Sequence, residues 1–148
     1  MTIATVTVED LAELLPLVSD YCGFYGVQPR REALEALSRA LIADPEQAGA
    51  QLIARGGRRS PVGFATVFWS WSTLSAHRVG IMNDLFVVPE ARGAGVGAAL
   101  IDASRGLCRE HGARALEWQT APDNDRAQAL YERVGARREE WIDYSLDV

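Results

Sequence analysis

Apolar positions recur along the chain with two different periods, and together these periods predict an alternation of strands and helices. Residues 3–8 alternate β-branched side chains with Thr and Ala, as a strand does, whereas apolar residues recur at helical spacing over 11–22. Thr7 and Asp10 form a capping pattern just ahead of that helix. The predicted elements are strand 3–8, helices 11–22 and 29–41, strands 51–55, 62–71 and 79–88, a helix from 93–97 to 112, strand 115–120, helix 123–134 and strand 141–146.

The strand predicted at 79–88 is apolar almost throughout, and only Asn83 and Asp84 interrupt it. A strand of this kind is buried on both faces at the centre of a sheet. The helix that follows leads to strand 115–120, and two strands joined by a helical crossover lie parallel. Because the chain has 148 residues, the length of one ordinary domain, the order predicts a single α+β domain over 1–148 with a mixed sheet.

The charge and cysteine content exclude several classes of protein. There are 15 basic and 20 acidic residues, and a net charge of −5 disfavours binding to nucleic-acid phosphates. Every basic residue is arginine, so chemistry that needs a lysine Schiff base is excluded. Cys22 and Cys108 are far apart and no histidines cluster, so we expect neither a metal site nor a disulfide framework. We find no signal peptide and no membrane helix, and we expect a cytoplasmic protein without membrane contacts.

A glycine-rich segment lies between strand 79–88 and the helix after it. The backbone N–H groups of such a segment point out of the helix N-terminus with no side chains in the way, which is typical of an anion site. Arg92 adds a guanidinium that suits phosphate oxygens, so pyrophosphate is the expected ligand. A tight turn with close helix–sheet packing and a G-x-G-x-x-A dinucleotide fingerprint are the alternatives. The candidate residues are Arg92, Gly93, Ala94, Gly95, Val96 and Gly97.

Two motifs in the second half of the chain resemble those of a known family. Residues 88–97, Val-Pro-Glu-Ala-Arg-Gly-Ala-Gly-Val-Gly, are similar to the central motif of the GNAT superfamily of acetyl-CoA-dependent N-acyltransferases. Residues 124–135 resemble that family's second motif, N-x-x-A-x-x-L-Y-x-x-x-G. Both motifs lie at a family-like separation. The resemblance implies a GNAT-like mixed sheet of about six or seven strands with flanking helices, in which the central parallel strands splay apart.

The resemblance also implies a place for each part of acetyl-CoA, the acyl donor. The pantetheine arm lies in the V between the splayed strands, and the pyrophosphate lies over 92–97. Asn124 contacts the arm, and Tyr131 matches the family's general acid. An attacking amine turns the thioester into an oxyanion and expels a thiolate, which a positioned phenol can protonate. The strand residues implied to contact the donor are Leu85, Phe86 and Val87.

The acceptor side is expected to supply a proton acceptor and contacts for a cation. An amine arrives mostly protonated, so a group must take up its proton. Asp84 is one candidate, and Glu117 on the neighbouring strand and a chain of waters are the alternatives. Tyr21, Trp69 and Asn83 lie in segments that are similar to the spermidine and spermine acetyltransferase branch, which implies cation–π contacts with an amine. An ordinary core with a dimer contact is the other interpretation of these aromatic residues.

These expectations combine into one function. We expect an N-acetyltransferase that moves an acetyl group from acetyl-CoA to a primary amine of a small molecule, by direct attack in a ternary complex and without a metal. A protein N-terminus or lysine side chain is the alternative acceptor, and a non-catalytic acyl-CoA-binding sensor is the alternative of another class. We also expect a homodimer, with the apolar strand 141–146 as its contact.

Overall fold

The computed structural model describes residues 1–148 and contains one mixed sheet of five strands with four α-helices. The sheet order is β1-β2-β3-β4-β5, and every neighbouring pair is antiparallel except β4 and β5, which are parallel. The predicted α+β class, with a parallel pair joined by a helix, is therefore confirmed. The strands are β1 (Thr2–Thr5), β2 (Gly49–Arg55), β3 (Pro61–Ser72), β4 (His77–Val87) and β5 (Ala113–Glu117). The helices are α1 (Leu11–Phe24), α2 (Arg31–Ala43), α3 (Val96–Glu110) and α4 (Asp125–Arg133).

The helices begin and end close to the positions that the apolar periods predict. They contain 9 to 15 residues, and none combines the length with the apolar composition that crossing a membrane requires. The first strand is shorter than predicted and ends at Thr5. The reason is that Thr7 leaves the sheet to cap a short 3₁₀ turn at Val8–Asp10, which leads into α1.

Polar contacts fix the start of α1 against β2. The Thr7 backbone N–H and hydroxyl both donate to Asp10 Oδ2, at 2.8 and 2.9 Å, so the predicted capping pattern is confirmed. Arg55 at the end of β2 donates from Nε to Glu13 Oε2 at 2.7 Å. Burial acts to raise the pKa of Asp10, but hydrogen bonds from Thr7 and Arg55 outweigh it and lower that pKa. With its N-terminus held in this way, α1 places its last turn in a defined position.

Strict alternation along β2 divides the core between the two faces of the sheet. Ile53 belongs to one buried cluster with Leu14 of α1. Its neighbour Leu52 belongs to a second cluster with Val96 and Leu100 of α3. Successive strand residues point to opposite faces, so α1 and α2 cover one face and α3 covers the other.

A β-bulge in β4 redirects the side chains that follow it. Two consecutive residues of β3 pair with Asp84 and Met82, so Asn83 is the extra residue of β4. Met82 and Leu85, three positions apart, consequently pack on the same face, toward α3. Asp84 and Phe86 lie on the opposite face, where both interact with α1. Without the extra residue, the Asp84 carboxylate would point toward α3 instead.

Pairing between β4 and β5 stops before β4 ends. The last pair joins Ile81 to Glu117, where β5 ends, and β4 continues to Val87 with no strand on that side. Backbone N–H and C=O groups need hydrogen-bond partners. The second half of β4 therefore offers an edge of backbone donors and acceptors to whatever lies between the two strands.

The sheet has five strands rather than the six or seven that the resemblance implied. Residues 136–148 contain no helix or strand, so the strand predicted at 141–146 is wrong. This segment alternates as a strand does, but a strand also needs a neighbour to pair with and a surface to pack on, and here no element covers the side chains. The expected contact between two copies through this segment stays a prediction. The large apolar residues of the segment, 77% to 93% exposed, are Trp141, Ile142, Tyr144 and Leu146.

Candidate active site

A cleft of about 490 Å³ lies where β4 and β5 separate. Its walls come from the second half of β4, the residues after β5, the last turn of α1, the N-terminus of α3 and one face of α4. We call the part formed by residues 92–97 the loop end. The part formed by Tyr21 and Phe24 of the last turn of α1, with Tyr25 directly after it, is called the aromatic end. One end of the cleft is therefore a glycine-rich loop suited to an anion, and the other end is a surface of aromatic rings.

Glycines give the loop end a backbone surface that is open to the cleft. Gly93 and Gly95 both have a φ of 83°, a conformation that residues with a side chain rarely adopt. No atom lies within 4 Å of the position that a Cβ would take at either residue. Gly95 caps α3, so N–H groups of the first turn of a 15-residue helix point toward this space, where the helix dipole favours an anion.

Gly97 has a different reason for being glycine. A Cβ at this position would lie 2.9 Å from Leu130 Cδ2, so the missing side chain allows α3 and α4 to approach closely. Gly97 and Val96 line the cleft together with Gly93 and Gly95, whereas Ala94 does not line it. The predicted glycine segment therefore combines an exposed backbone with close helix packing.

The Arg92 side chain is fixed at the end of β4. Its Nε donates to the carbonyl oxygen of Val87 at 2.9 Å, and the two terminal nitrogens make no hydrogen bond within the chain. Arg92 also lines the cleft. A guanidinium held by Nε presents its other two nitrogens as a fork, which suits two oxygens of a phosphate.

The free edge of β4 forms the long wall of the cleft. Leu85, Phe86 and Val87 all line it. Leu85 and Val87 pack toward α3, while the Phe86 ring is buried on the α1 face, 6.3 Å from the Tyr21 ring. Because this edge has no strand partner, an extended ligand can pair with its backbone as a further strand would.

Asn124 and Tyr131 bring α4 to the opposite wall. Asn124 Oδ1 accepts from the Ala127 backbone N–H at 3.2 Å and caps α4, which leaves the side-chain amide N–H groups free toward the cleft. The Tyr131 ring packs edge to face on Trp118, with 5.2 Å between the centroids. These contacts fix where the Tyr131 hydroxyl lies.

Tyr131 is a phenol that stays protonated at neutral pH. Burial raises its pKa from the ordinary value of 10.0. A hydrogen bond with Thr120 acts to lower the pKa, and the negative charge of an ionised Tyr25 would raise it further. The net pKa is raised, so the group is available as a proton donor. Tyr131 and Tyr25 of the aromatic end line the same cleft.

Three polar groups meet at the β4 bulge beside the aromatic end. The Tyr21 hydroxyl donates to the Asn83 carbonyl oxygen at 3.5 Å, and Asn83 Nδ2 donates to Asp84 Oδ1 at 3.0 Å. Burial and then the negative charge of Asp84 raise the pKa of Tyr21 well above its usual range. Tyr21 and Asn83 line the cleft, whereas Asp84, whose carboxylate accepts from Asn83, does not.

Trp69 and Glu117, both predicted for the acceptor, lie outside the cleft. Trp69 is at the other end of the sheet, where its indole Nε1 donates to the Pro45 carbonyl oxygen at 2.8 Å and its ring stacks on His111 at 4.5 Å. Glu117 is exposed at the last pair of β5. The structure therefore separates these two residues from the other predicted site residues.

Several residues that line the cleft were not among the predicted site residues. Trp118 and Thr120 follow β5 in the chain. The Trp118 ring packs on Tyr131, and a hydrogen bond with Thr120 acts to lower the pKa of Tyr131. Phe24 and Tyr25 line the cleft beside Tyr21. The available signal was position, because side chains just beyond the carboxyl end of a parallel strand often line a ligand site. No group of three or more His, Cys, Asp or Glu residues is arranged to hold a metal ion.

The sequence and fold assign the chain to a family. Residues 13–136 match the model of the acetyltransferase (GNAT) family. The chain belongs to the GNAT acetyltransferase family. This GNAT acetyltransferase is therefore an acyltransferase enzyme, and the resemblance of its two motifs to those of the family is confirmed.

Individual relatives agree with the family assignment. The GNAT acetyltransferase is 33% identical to the uncharacterized N-acetyltransferase YhfO of Bacillus subtilis, over 100% of this chain and 98% of that protein. A crystal structure of a probable acetyltransferase has a TM-score of 0.87 and 30% identity, over 100% of this chain and 98% of the other. The aminoglycoside acetyltransferase AAC(6')-Iy, solved with a bisubstrate analogue, has a TM-score of 0.85 at 20% identity over 99% and 97% of the two chains and shows the fold alone. Family membership indicates acetyl-CoA as the acyl donor and leaves the acceptor amine open.

Proposed function

We propose that this GNAT acetyltransferase transfers the acetyl group of acetyl-CoA to the primary amine of a small molecule, by direct attack within one ternary complex. The observation that carries the proposal is a single cleft that contains both halves of the chemistry. The glycine loop and the free edge of β4 form one part of it, and the protonated phenol of Tyr131 lies beside the aromatic end. Donor and acceptor can therefore meet without leaving the protein.

The loop end and the β4 edge fit the donor. Pyrophosphate is an anion, and the backbone of 93–97 with the free fork of Arg92 offers it donors at a helix N-terminus. The pantetheine arm carries amide groups, which can pair with the unpartnered backbone of 85–87. The free amide of Asn124 faces the same space. These residues hold the thioester in the cleft that Tyr131 also lines.

In the chemical step, one bond forms and one breaks at the thioester carbonyl carbon. The neutral amine nitrogen attacks this carbon, the carbonyl oxygen takes the negative charge, and the C–S bond then breaks as the charge returns. A backbone N–H on the free edge of β4 stabilises the oxyanion. The sulfur leaves as a thiolate and takes the proton of the Tyr131 hydroxyl, while the nitrogen, positively charged after attack, releases a proton that returns through water to the Tyr131 phenolate. General-acid help of this kind is worth about 10²- to 10⁴-fold in rate.

The attacking amine must lose a proton, and we assign its uptake to Asp84. The Asp84 carboxylate does not line the cleft but accepts from the amide of Asn83, which does, so the proton reaches Asp84 through a hydroxyl or a water rather than by direct contact. The raised pKa of Tyr21 keeps its hydroxyl neutral and able to relay a proton. Glu117 and Trp69 lie outside the cleft, and we assign them no step.

Direct attack is preferred over an acetylated enzyme because the cleft contains no thiol that could carry the acetyl group. Neither cysteine lines it. Burial raises the pKa of the Cys108 thiol to about 11, and burial also raises the pKa of Cys22. A thiol with a raised pKa is mostly protonated at neutral pH and is a poor nucleophile.

The proposal is tested by measuring thiol release from acetyl-CoA with small amines, amino acids and short peptides. We expect turnover of a small amine that Tyr131→Phe abolishes and that Tyr144→Phe, at a 91% exposed tyrosine outside the cleft, leaves intact. Turnover of peptides alone would favour a protein acceptor. Binding of acetyl-CoA without turnover of anything would favour a sensor, and absence of binding would contradict the donor site itself.

A further inference from the structure

The last turn of α1 and the residue directly after it place a continuous wall of three aromatic rings at the cleft. The Tyr21 and Tyr25 centroids are 5.2 Å apart and the Phe24 and Tyr25 centroids 5.1 Å apart, both edge to face. Phe24 is 63% exposed and Tyr25 is 53% exposed. Aromatic rings that line a concave site and remain this exposed are available for contact with a ligand.

The charges around the cleft do not suit a ligand with several positive groups. None of the residues that line it is acidic, and the charged ones are Arg92, Arg126 and Arg133. The carboxylates in contact with residues that line the cleft are those of Asp84, which accepts from Asn83, and Asp143, which accepts from the Gln119 amide at 2.9 Å. Neither carboxylate lines the cleft itself, so a second ammonium group would meet the positive charge of the arginines without a lining carboxylate to offset it.

Tyr25 and Tyr131 fix the direction in which an acceptor enters. Tyr25 and Tyr131 line the same cleft, so the aromatic wall and the group that we assign to the leaving sulfur face one space. An acceptor whose body rests on the rings of Phe24 and Tyr25 directs its amine past them, toward Tyr131 and the β4 bulge. The body is then held by apolar and stacking contacts, and the amine by the polar groups.

We infer that the acceptor is a monoamine with an aromatic or apolar body. This inference rests on the proposed function, since it names the substrate class of that same cleft. Diamines, polyamines and aminoglycosides add ammonium groups for which the cleft offers no carboxylate. Zwitterionic amino acids add a carboxylate next to the amine, where the bulge already places Asp84.

Matched pairs of amines test the inference, with acetyl-CoA saturating and thiol release as the readout. Hexylamine and 1,6-diaminohexane have the same chain length and differ by one ammonium, and phenethylamine and phenylalanine differ by one carboxylate. We expect kcat/KM per amine to be at least 10-fold higher for the monoamine in each pair. A diamine or phenylalanine that reacts as well as its partner would overturn the inference while leaving the proposed function in place.

A variant of the wall tests whether the rings bind the acceptor body. An aromatic contact is worth about 0.5–1.5 kcal/mol, so Tyr25→Ala should raise KM for phenethylamine about 3- to 10-fold with the Kd of acetyl-CoA unchanged. Tyr144→Ala, at an exposed tyrosine outside the cleft, is the matched control and should change neither value. An unchanged KM in Tyr25→Ala would overturn the assignment of the wall. No turnover of any amine despite binding of acetyl-CoA would overturn the proposed function and the inference together.

Discussion

The two ends of the cleft are built from different parts of the polypeptide. The loop end uses backbone groups, which Gly93 and Gly95 expose through their positive φ and which the N-terminus of α3 orients. The aromatic end uses the side chains of Tyr21, Phe24 and Tyr25, which fall on the last turn of α1 and directly after it. A backbone site leaves a glycine pattern in the sequence, whereas the side chains of the aromatic end follow no such spacing. The loop end could therefore be predicted from a motif, while of the residues predicted for the acceptor Tyr21 and Asn83 line the cleft and Trp69 and Glu117 do not.

Tyr131 acts where donor and acceptor meet, so loss of its hydroxyl should have the largest effect on kcat. In Tyr131→Phe the leaving thiolate loses its proton donor, so kcat should fall about 100-fold or more. The ring remains packed on Trp118, and the Kd of acetyl-CoA measured by calorimetry should not change. Equal losses in kcat and in affinity would show that Tyr131 binds the donor and does not act as the acid.

Removal of the Arg92 guanidinium should weaken only the binding of acetyl-CoA at the loop end. Hydrogen bonds to charged groups contribute about 1.5–3 kcal/mol, so Arg92→Ala should raise the Kd of acetyl-CoA about 10-fold or more and leave KM for the amine unchanged. Arg105→Ala is the matched control, because Arg105 is an exposed arginine of α3 whose partner, Asp102, is 3.4 Å away. An unchanged Kd in Arg92→Ala would contradict the assignment of the pyrophosphate.

Removal of the Asp84 charge should lower turnover of the acceptor amine and leave binding of acetyl-CoA unchanged. Because its proton arrives through a relay, Asp84→Asn should lower kcat/KM for the amine about 10-fold, less than the roughly 10²- to 10⁴-fold of direct acid–base help, with the Kd of acetyl-CoA unchanged. Asp20→Asn, on α1 but outside the cleft, is the matched control. Full activity of Asp84→Asn would show that water alone accepts the proton.

A pair of glycine substitutions should separate backbone conformation from side-chain volume at the loop end. There is open space for a Cβ at both Gly95 and Gly106, but only Gly95 has a positive φ. Gly95→Ala should therefore lower the free energy of unfolding by about 1–2 kcal/mol, while Gly106→Ala, inside α3, should raise it by about 1 kcal/mol. Denaturant unfolding checks both values. Equal stability of the two variants would contradict a conformational role for Gly95.

Much of the fold could be predicted from the sequence because periodicity reports local structure well. The helices and the strands β2 to β4 lie within about two residues of where the apolar periods placed them, β5 covers 113–117 rather than 115–120, and the parallel pair followed from its helical connection. Periodicity failed at 141–146, where the alternation is present but no neighbouring strand or helix covers it. Pairing partners are a property of the whole fold, and a local pattern does not contain them.

The candidate site, like the fold, could be predicted from the sequence only in part. The glycine spacing predicted the loop at 92–97, but the resemblance that placed Trp69 with Tyr21 at the acceptor did not show that the two are apart. Tyr21 of α1 lines the cleft, whereas Trp69 of β3 stacks on His111 outside it. The bulge at Asn83 could not be located either, although it decides that Asp84 faces α1. An extra residue in a strand depends on the register with its neighbour, and the sequence of one strand does not specify that register.

The most direct test of acetyl transfer within one cleft is the initial-velocity pattern measured with acetyl-CoA and the amine both varied. If the loop end and the aromatic end are filled at the same time and the amine attacks the thioester directly, reciprocal plots should intersect, and protein incubated with acetyl-CoA alone should carry no acetyl group by mass spectrometry. Parallel lines together with an acetylated protein would show that an enzyme nucleophile carries the acetyl group, and would contradict direct transfer within one cleft.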